Sequence, residues 1–340
     1  IGVLLEVSLE SISCEKPEVT DFLLSNLLFW MTEYHIDGFV FGEQAGDSRS
    51  WDDRFNNIEV KDEAKETKVS LDTESRRAML RQAMGMIREE APGVIIISDE
   101  QNLIRPDGAV SDMEDKLFDF SWNFNIKWSL DEYLSCDSAG RRRDHFKLTL
   151  PLQKSGLGRS LLLLDYKNMN NLYQTSIDKS EEVYYDMLSE AKLSYAFLTG
   201  IPGKKILSDD VRDDKIKNYL HRLLRMYRTY PSLYEGGEGE QVFEWVNGMD
   251  AVSSVISFIR KSSASEEHFL FICNFNTEAL ISYRVGVPAF GRYRLLMSSD
   301  AAEFGGKGRF VNQHPAVIRQ PCDFRPYSMT VSLPPESALI

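Results

Sequence analysis

Carboxylates at the ends of short apolar runs are the residues best suited to chemistry in this sequence. Ser98-Asp99-Glu100 closes the run Val94 to Ile97, and an acid held at a strand end can give or take a proton. A second run, within Tyr34-His35-Ile36-Asp37-Gly38-Phe39-Val40-Phe41-Gly42, ends on a residue with no side chain and is followed by Glu43. Successive strand residues face opposite ways, so Glu43 points away from the Gly42 face unless a bulge intervenes. Without a partner Asp99 completes no two-carboxylate reaction, and a strand-end acid in a polar pocket or cap is its plainer role. The histidines His35, His145, His221, His268 and His314 share no metal-ligand spacing. Gly156-Leu157-Gly158-Arg159 lacks the Lys-Ser/Thr ending of a phosphate loop. Neither a metal nor a cofactor is expected.

The elements that must position Asp99 and Gly42 follow from hydrophobic patterning. Val3 to Val7, Gly38 to Phe41, Val94 to Ile97, Phe118 to Trp122, Leu161 to Leu164 and Lys204 to Leu207 are short β-rich runs. Helical patterns separate them at Val19 to Tyr34, Thr73 to Glu90, Glu181 to Leu198 and Asp213 to Tyr230. Thr73-Glu74-Ser75 is read as the cap of the second of these, and Ala91-Pro92-Gly93 as its stop. Alternating strands and helices predict β-α units with a parallel sheet. After Gly236-Gly237-Glu238-Gly239 only strand-like runs remain: 242–246, 252–259, 269–275, 281–287 and 329–333. These predict an antiparallel sandwich. The domains are therefore placed at 1–237 and 238–340. The stretch Lys61 to Lys68 reads as a charged loop or helix edge.

Composition narrows the partners. Of 340 residues, 52 are Asp or Glu and 39 Lys or Arg, a formal charge of -13. Phosphate backbones demand concentrated positive charge, so no nucleic acid is expected, and Arg141-Arg142-Arg143 reads as a solvated loop. No run approaches the ~20 apolar residues of a membrane span. Cys14, Cys136, Cys273 and Cys322 stand far apart, suiting a reducing cytoplasm. The chain opens on Ile1-Gly2-Val3-Leu4-Leu5, already within a strand pattern, and reads as a piece of something longer.

Several of these segments resemble, in order, the later barrel strands and C-terminal β domain of 1,4-α-glucan (glycogen) branching enzymes, in the α-amylase superfamily (glycoside hydrolase family 13). Ile1-Gly2-Val3-Leu4-Leu5-Glu6 is similar to the family's third strand and Tyr34 to Gly42 to its fourth. Val94 to Gln101 occupies the fifth, and Phe118-Asp119-Phe120-Ser121-Trp122-Asn123 is similar to the sixth. Pro202-Gly203-Lys204-Lys205-Ile206-Leu207 is similar to the eighth. Ser299-Asp300-Ala301-Ala302-Glu303-Phe304-Gly305-Gly306 and Arg325-Pro326-Tyr327-Ser328 resemble β-domain signatures. The resemblance implies a partial TIM (β/α)8 barrel, about strands 3 to 8, followed by an antiparallel β-sandwich. The first two strands and a carbohydrate-binding module are expected upstream; a stable half-barrel is the alternative.

The family's chemistry needs two carboxylates about 5–5.5 Å apart, one attacking the sugar and one protonating the leaving oxygen. By resemblance the nucleophile position is Gly42, and the Arg that holds that nucleophile ionised is replaced by Val40. The general acid/base position is Asp99, the one catalytic carboxylate retained. The sugar-binding His of the seventh strand becomes Tyr166. The third carboxylate becomes Lys167, reversing the charge where positive charge develops on the sugar. On the third strand the family's His becomes Ser11, while Glu6 keeps its acid. The substrate loop after the eighth strand shrinks to the few residues before Asp213. Trp122, Trp128 and Trp245 could stack on glucose rings, with core packing the plainer role. These departures imply a folded, catalytically degenerate relative that binds α-glucan, either glycogen or maltooligosaccharide, or acts as a scaffold. Two alternatives stay open: a divergent active branching enzyme using Asp99, and a regulatory partner of an active paralogue in a homo- or hetero-oligomer.

Overall fold

The computed structural model describes residues 2–8, 14, 16–42, 66–99, 118–153, 157–166, 172, 181–207, 211–235, 242–262, 267–310 and 314–340. The chain divides into two compact units, residues 1–122 and 123–340.

In the first unit the elements run β1 (Leu4–Ser8), α1 (Pro17–Tyr34), β2 (Gly38–Gly42), α2 (Glu66–Glu90), β3 (Ile95–Asp99) and β4 (Phe120–Trp122). The four strands pair in parallel in sequence order. Pro17 sits in the first turn of α1, where its missing N–H would be unpaired in any case. Leu23, Leu27 and Met31 repeat every four residues and so share one face of α1. They meet Phe39, Phe41 and Ile96 from the sheet and Met79, Met84 and Ile87 from α2 in a single apolar core. The helix expected from Thr73 begins earlier, at Glu66. The residues read as its cap therefore lie inside it, because 66–72 also suit a helix and no Pro or Gly interrupts them.

In the second unit α3 (Phe124–Leu134) and α4 (Ser138–Thr149) precede β5 (Ser160–Leu164), α5 (Glu181–Gly200), β6 (Lys204–Leu207), α6 (Asp214–Thr229) and the short α7 (Pro231–Tyr234). Side-chain caps fix the starts of three of them. Asn123 accepts from Ile126 N at 3.4 Å, Asp137 from Gly140 N at 2.8 Å, and Asp213 from Lys215 N and Ile216 N at 2.9 and 3.1 Å. β5 and β6 pair in parallel. Six strands, four in the first unit and two in the second, thus form a sheet in sequence order with helices interspersed, as the partial barrel requires.

The antiparallel part comprises β7 (Phe243–Asp250), β8 (Val255–Arg260), β9 (Phe269–Asn274), β10 (Leu280–Val287), β11 (Val317–Ile318), β12 (Tyr327–Leu333) and β13 (Ser337–Leu339). They form a four-stranded sheet in the order β13-β9-β8-β7 and a three-stranded sheet in the order β10-β12-β11. Every residue of β8 is buried, and its alternation explains why. Ile256 and Phe258 face a core shared with Phe197 of α5, while Val255 and Ile259 face Val285, Val287, Met329 and Val331 of the other sheet.

One expectation needs correction. Arg141-Arg142-Arg143 lies within α4, not in a loop. The Arg141 side chain is only 5% exposed, whereas that of Arg143 is 75% exposed. A run of like charges on a helix is split between faces, and one member has turned inward.

Candidate active-site strand ends

The stretch Tyr34 to Gly42 builds its strand through local geometry. The Tyr34 ring packs 4.6 Å from Trp30 and 5.6 Å from Phe29, anchoring the end of α1. His35 follows in the left-handed conformation, φ 50°, and ends the helix. Ile36 is buried. Asp37 accepts from Val3 N at 2.6 Å, its own N–H donates to Val3 O at 2.8 Å, and its carbonyl accepts from Ile95 N at 2.9 Å. At Gly38 an added Cβ would lie 2.6 Å from Ile95 O and 2.7 Å from Leu4 Cδ2, so only glycine lets the three strands start this close together. Asp119 repeats the device before β4, accepting from Ile96 N and Arg88 Nη2, both at 2.8 Å. These acids lie at the N-terminal ends of the strands, where barrel residues serve stability.

The opposite ends carry the positions that the resemblance singles out. Register sets Ser8 beside Gly42 and Asp99 beside Trp122. One step past the Phe41–Ser98 pair, Gly42 and Asp99 come level. Ser8, Gly42, Asp99 and Trp122 therefore form one row across the C-terminal ends of β1 to β4. Two residues nearer the strand starts, Glu6, Val40, Ile97 and Phe120 form the row below it. By alternation both rows are positions on the face turned away from the helices, since Phe39, Phe41 and Ile96 fill the helix-side core. Val40, Gly42 and Asp99 thus occupy neighbouring positions on that face, and Asp99 is the one acid in its row. The Asp99 side chain, Ser11, Glu43, Glu100 and Lys167 lie outside what the structure describes.

Tyr166 belongs to the second unit, just past β5, and is buried. Its hydroxyl donates to Glu190 Oε1 on α5 at 3.2 Å. Glu190 Oε2 lies 3.6 Å from Arg141 Nη2. Arg141 is the centre of this network. It donates from Nη1 to Glu336 Oε1 at 2.7 Å and to Phe275 O at 2.8 Å, from Nη2 to Leu134 O at 3.0 Å, and from Nε to Cys136 O at 3.2 Å. Burial pushes the Glu336 carboxyl up from its ordinary value despite the opposing pull of Arg141. Sequence reasoning misses this role, because nothing in Arg-Arg-Arg distinguishes the buried member.

Other buried cations are structural too. Lys192 on α5 donates to Phe304 O at 3.1 Å; burial pushes its ammonium down to about 8, partly offset by Asp300. Arg260 is fully buried and donates to the carbonyls of Val242, Gly200 and Leu233. The signature beginning at Ser299 is a loop wound on one carboxylate. Asp300 accepts from Lys307 N, Arg309 N and the Arg309 guanidinium, and a Cβ on Gly306 would strike Asp300 O at 2.2 Å. Trp245 makes edge contacts with Phe243 at 4.9 Å and Phe258 at 6.1 Å. Among the described residues, no group of three or more His, Cys, Asp or Glu could hold a metal ion, and no helix is long and apolar enough to cross a membrane.

Residues 245–340 match the family model of the α-amylase C-terminal all-β domain. The chain is 26% identical to the 1,4-α-glucan branching enzyme GlgB of Halothermothrix orenii, covering 94% of this chain and 54% of that protein. It is 27% identical to the enzyme of the same name from Geobacillus stearothermophilus, covering 94% and 51%. It therefore spans about half the length of the curated relatives it matches. In fold it is similar to a debranching enzyme of Nostoc punctiforme, with a TM-score of 0.55 at 14% identity, covering 95% of this chain and 60% of that one. A pullulanase from Bacillus acidopullulyticus gives 0.55 at 12% identity, covering 96% and 40%. Parallel β-α units followed by an all-β module of the α-amylase C-terminal type are the architecture this chain shares with these proteins. In sequence the chain is branching-enzyme-like over 94% of its length.

Proposed function

We propose that the chain is a catalytically degenerate branching-enzyme-like protein of glycogen or α-glucan metabolism, which binds α-glucan or acts as a scaffold for it. The observation that carries this reading is the row Ser8, Gly42, Asp99, Trp122. A double displacement needs a nucleophilic carboxylate and an acid/base facing one sugar. This row supplies Asp99 for the second role and a bare Gly42 for the first, above an apolar Val40 that offers no positive charge. Tyr166, where the resemblance expects a sugar-binding His, spends its hydroxyl on Glu190 inside the core. Lys167 and Ser11 complete the set of changed positions.

The glucan ligand is supported by the relatives, which are 1,4-α-glucan branching enzymes by name. A barrel domain over 1–237 and a β domain over 238–340 suit this reading. Cys14, Cys136, Cys273 and Cys322 form no disulfide among the described residues, which suits a cytoplasmic setting. Native electrophoresis through gels containing glycogen tests the binding: retardation relative to a glycogen-free gel is expected, and equal mobility in both contradicts it. The retained Asp99 favours one second reading, a divergent active branching enzyme with an unrecognised partner carboxylate. A purified sample that introduces branches into amylose would establish it.

A further inference from the structure

The β domain carries a groove that the strand-end row does not explain. It encloses about 410 Å³ and is lined by Thr149, Trp245, Asn247, Met249, Asp323 and Phe324, among others, a volume typical of small-molecule clefts. Its rim is a two-residue hairpin. Cys322 N donates to Arg325 O at 3.1 Å and Arg325 N to Cys322 O at 2.7 Å, with Asp323 (φ 49°) and Phe324 (φ 57°) between them. Two successive positive φ values are the turn type that prefers Asn-Gly or Asp-Gly. Here the glycine place holds Phe324, 108% exposed relative to a free residue. A bulky side chain in the left-handed region is an outlier in which strain points to use, and this one has no packing partner among the described residues to justify it.

We propose that this groove is a surface site for an α-glucan chain, with the Phe324 ring as its stacking platform. Three features favour an uncharged polyhydroxylated ring over other ligands. First, the groove offers a free aromatic face, and Met249, 69% exposed, adds a second apolar contact. Second, its polar atoms keep acceptor capacity for hydroxyl donors. Asp323 Oδ1 accepts from Asn247 Nδ2 at 2.8 Å, and a carboxylate oxygen can take a second bond. Third, Arg325, the cation of the groove lining, already pairs with Glu244 and donates to Trp245 O at 2.8 Å, which disfavours a phosphate or carboxylate on a chain of net charge -13.

The choice of glucan rests on the proposed function, and the test separates the two. Maltoheptaose is titrated into the protein with tryptophan fluorescence and glycogen-gel retardation as readouts, for wild type, Phe324→Ala, Phe324→Tyr and Val252→Ala. Val252 is an exposed apolar residue outside the groove lining. Phe324→Ala is expected to weaken binding about two- to tenfold, while Phe324→Tyr and Val252→Ala bind as wild type. Wild-type binding that Phe324→Ala leaves unchanged overturns the groove but not the function. A wild type that binds no glucan overturns the function itself. Loss in Val252→Ala equal to that in Phe324→Ala also overturns the groove. A thermal melt of Phe324→Ala confirms that the variant is folded.

Discussion

Arg141→Met should unfold the second unit far more easily than any neighbouring change in the same basic run. The guanidinium donates to three backbone carbonyls, those of Leu134, Cys136 and Phe275, and to Glu336. Methionine fills similar space but leaves the buried Glu336 carboxylate without its cation and the carbonyls without donors. Removing one partner of a buried ion pair costs about 3–5 kcal/mol. For a unit of about 150–250 residues each kcal/mol moves Tm by about 2–4 °C, so Tm should fall by about 6–20 °C. The assay is calorimetry or far-UV circular dichroism on wild type, Arg141→Met and Arg143→Ala. Arg143 pairs with its neighbour Asp144 in solvent, and its removal should leave Tm unchanged. In a double-mutant cycle, Arg141→Met with Glu336→Gln should be less damaging than the sum of the singles, because the stranded charge is gone. An Arg141→Met protein as stable as wild type would refute the network, as would an equal loss in Arg143→Ala.

Three further outcomes rest on the same packing. Lys192 has its ammonium pushed down to about 8 from an ordinary 10.5, so between those values the unfolded chain binds more protons than the folded one. Stability should therefore rise with pH across that window, by about 3 kcal/mol at most; urea melts at about pH 7.5, 9 and 10 should show the rise in wild type and its loss in Lys192→Met. Gly38→Ala would force a Cβ against Ile95 O and Leu4, costing about 1–3 kcal/mol; a lowered urea midpoint checks it, and an unchanged midpoint would mean the strands are not this close. Phe324→Gly removes left-handed strain of about 1–2 kcal/mol, partly offset by glycine's greater freedom in the unfolded chain. Its Tm should rise by about 1–4 °C, and a fall would show that the exposed ring packs on something.

Strand order and the two-part architecture are legible in the sequence because the parallel strands are short β-rich runs and four of the helices, α1, α2, α5 and α6, show a readable pattern. Tyr34 to Gly38 stands out for the same reason: Asp37 and Gly38 fill places that few other residues can. What stays hidden are properties of tertiary contact. α4 escapes pattern reading because 138–149 is rich in arginine and carries little amphipathic signal. The inward turn of Arg141 depends on Glu336, nearly two hundred residues away in sequence, which no local pattern reveals. The Asp323-Phe324 turn is invisible because phenylalanine is not a turn residue. Of the candidate site, the common face of Val40, Gly42 and Asp99 follows from period-2 alternation, whereas the destination of the Tyr166 hydroxyl comes only from packing.

The proposal that the strand ends keep the barrel without its nucleophile is decided by a count of new bonds. Purified full-length protein is incubated with amylose, and new α-1,6 linkages are counted after debranching and chain-length analysis. A protein without a nucleophile gives a linkage count equal to that of a heat-inactivated sample. Branching well above that background, abolished in Asp99→Asn, would contradict it.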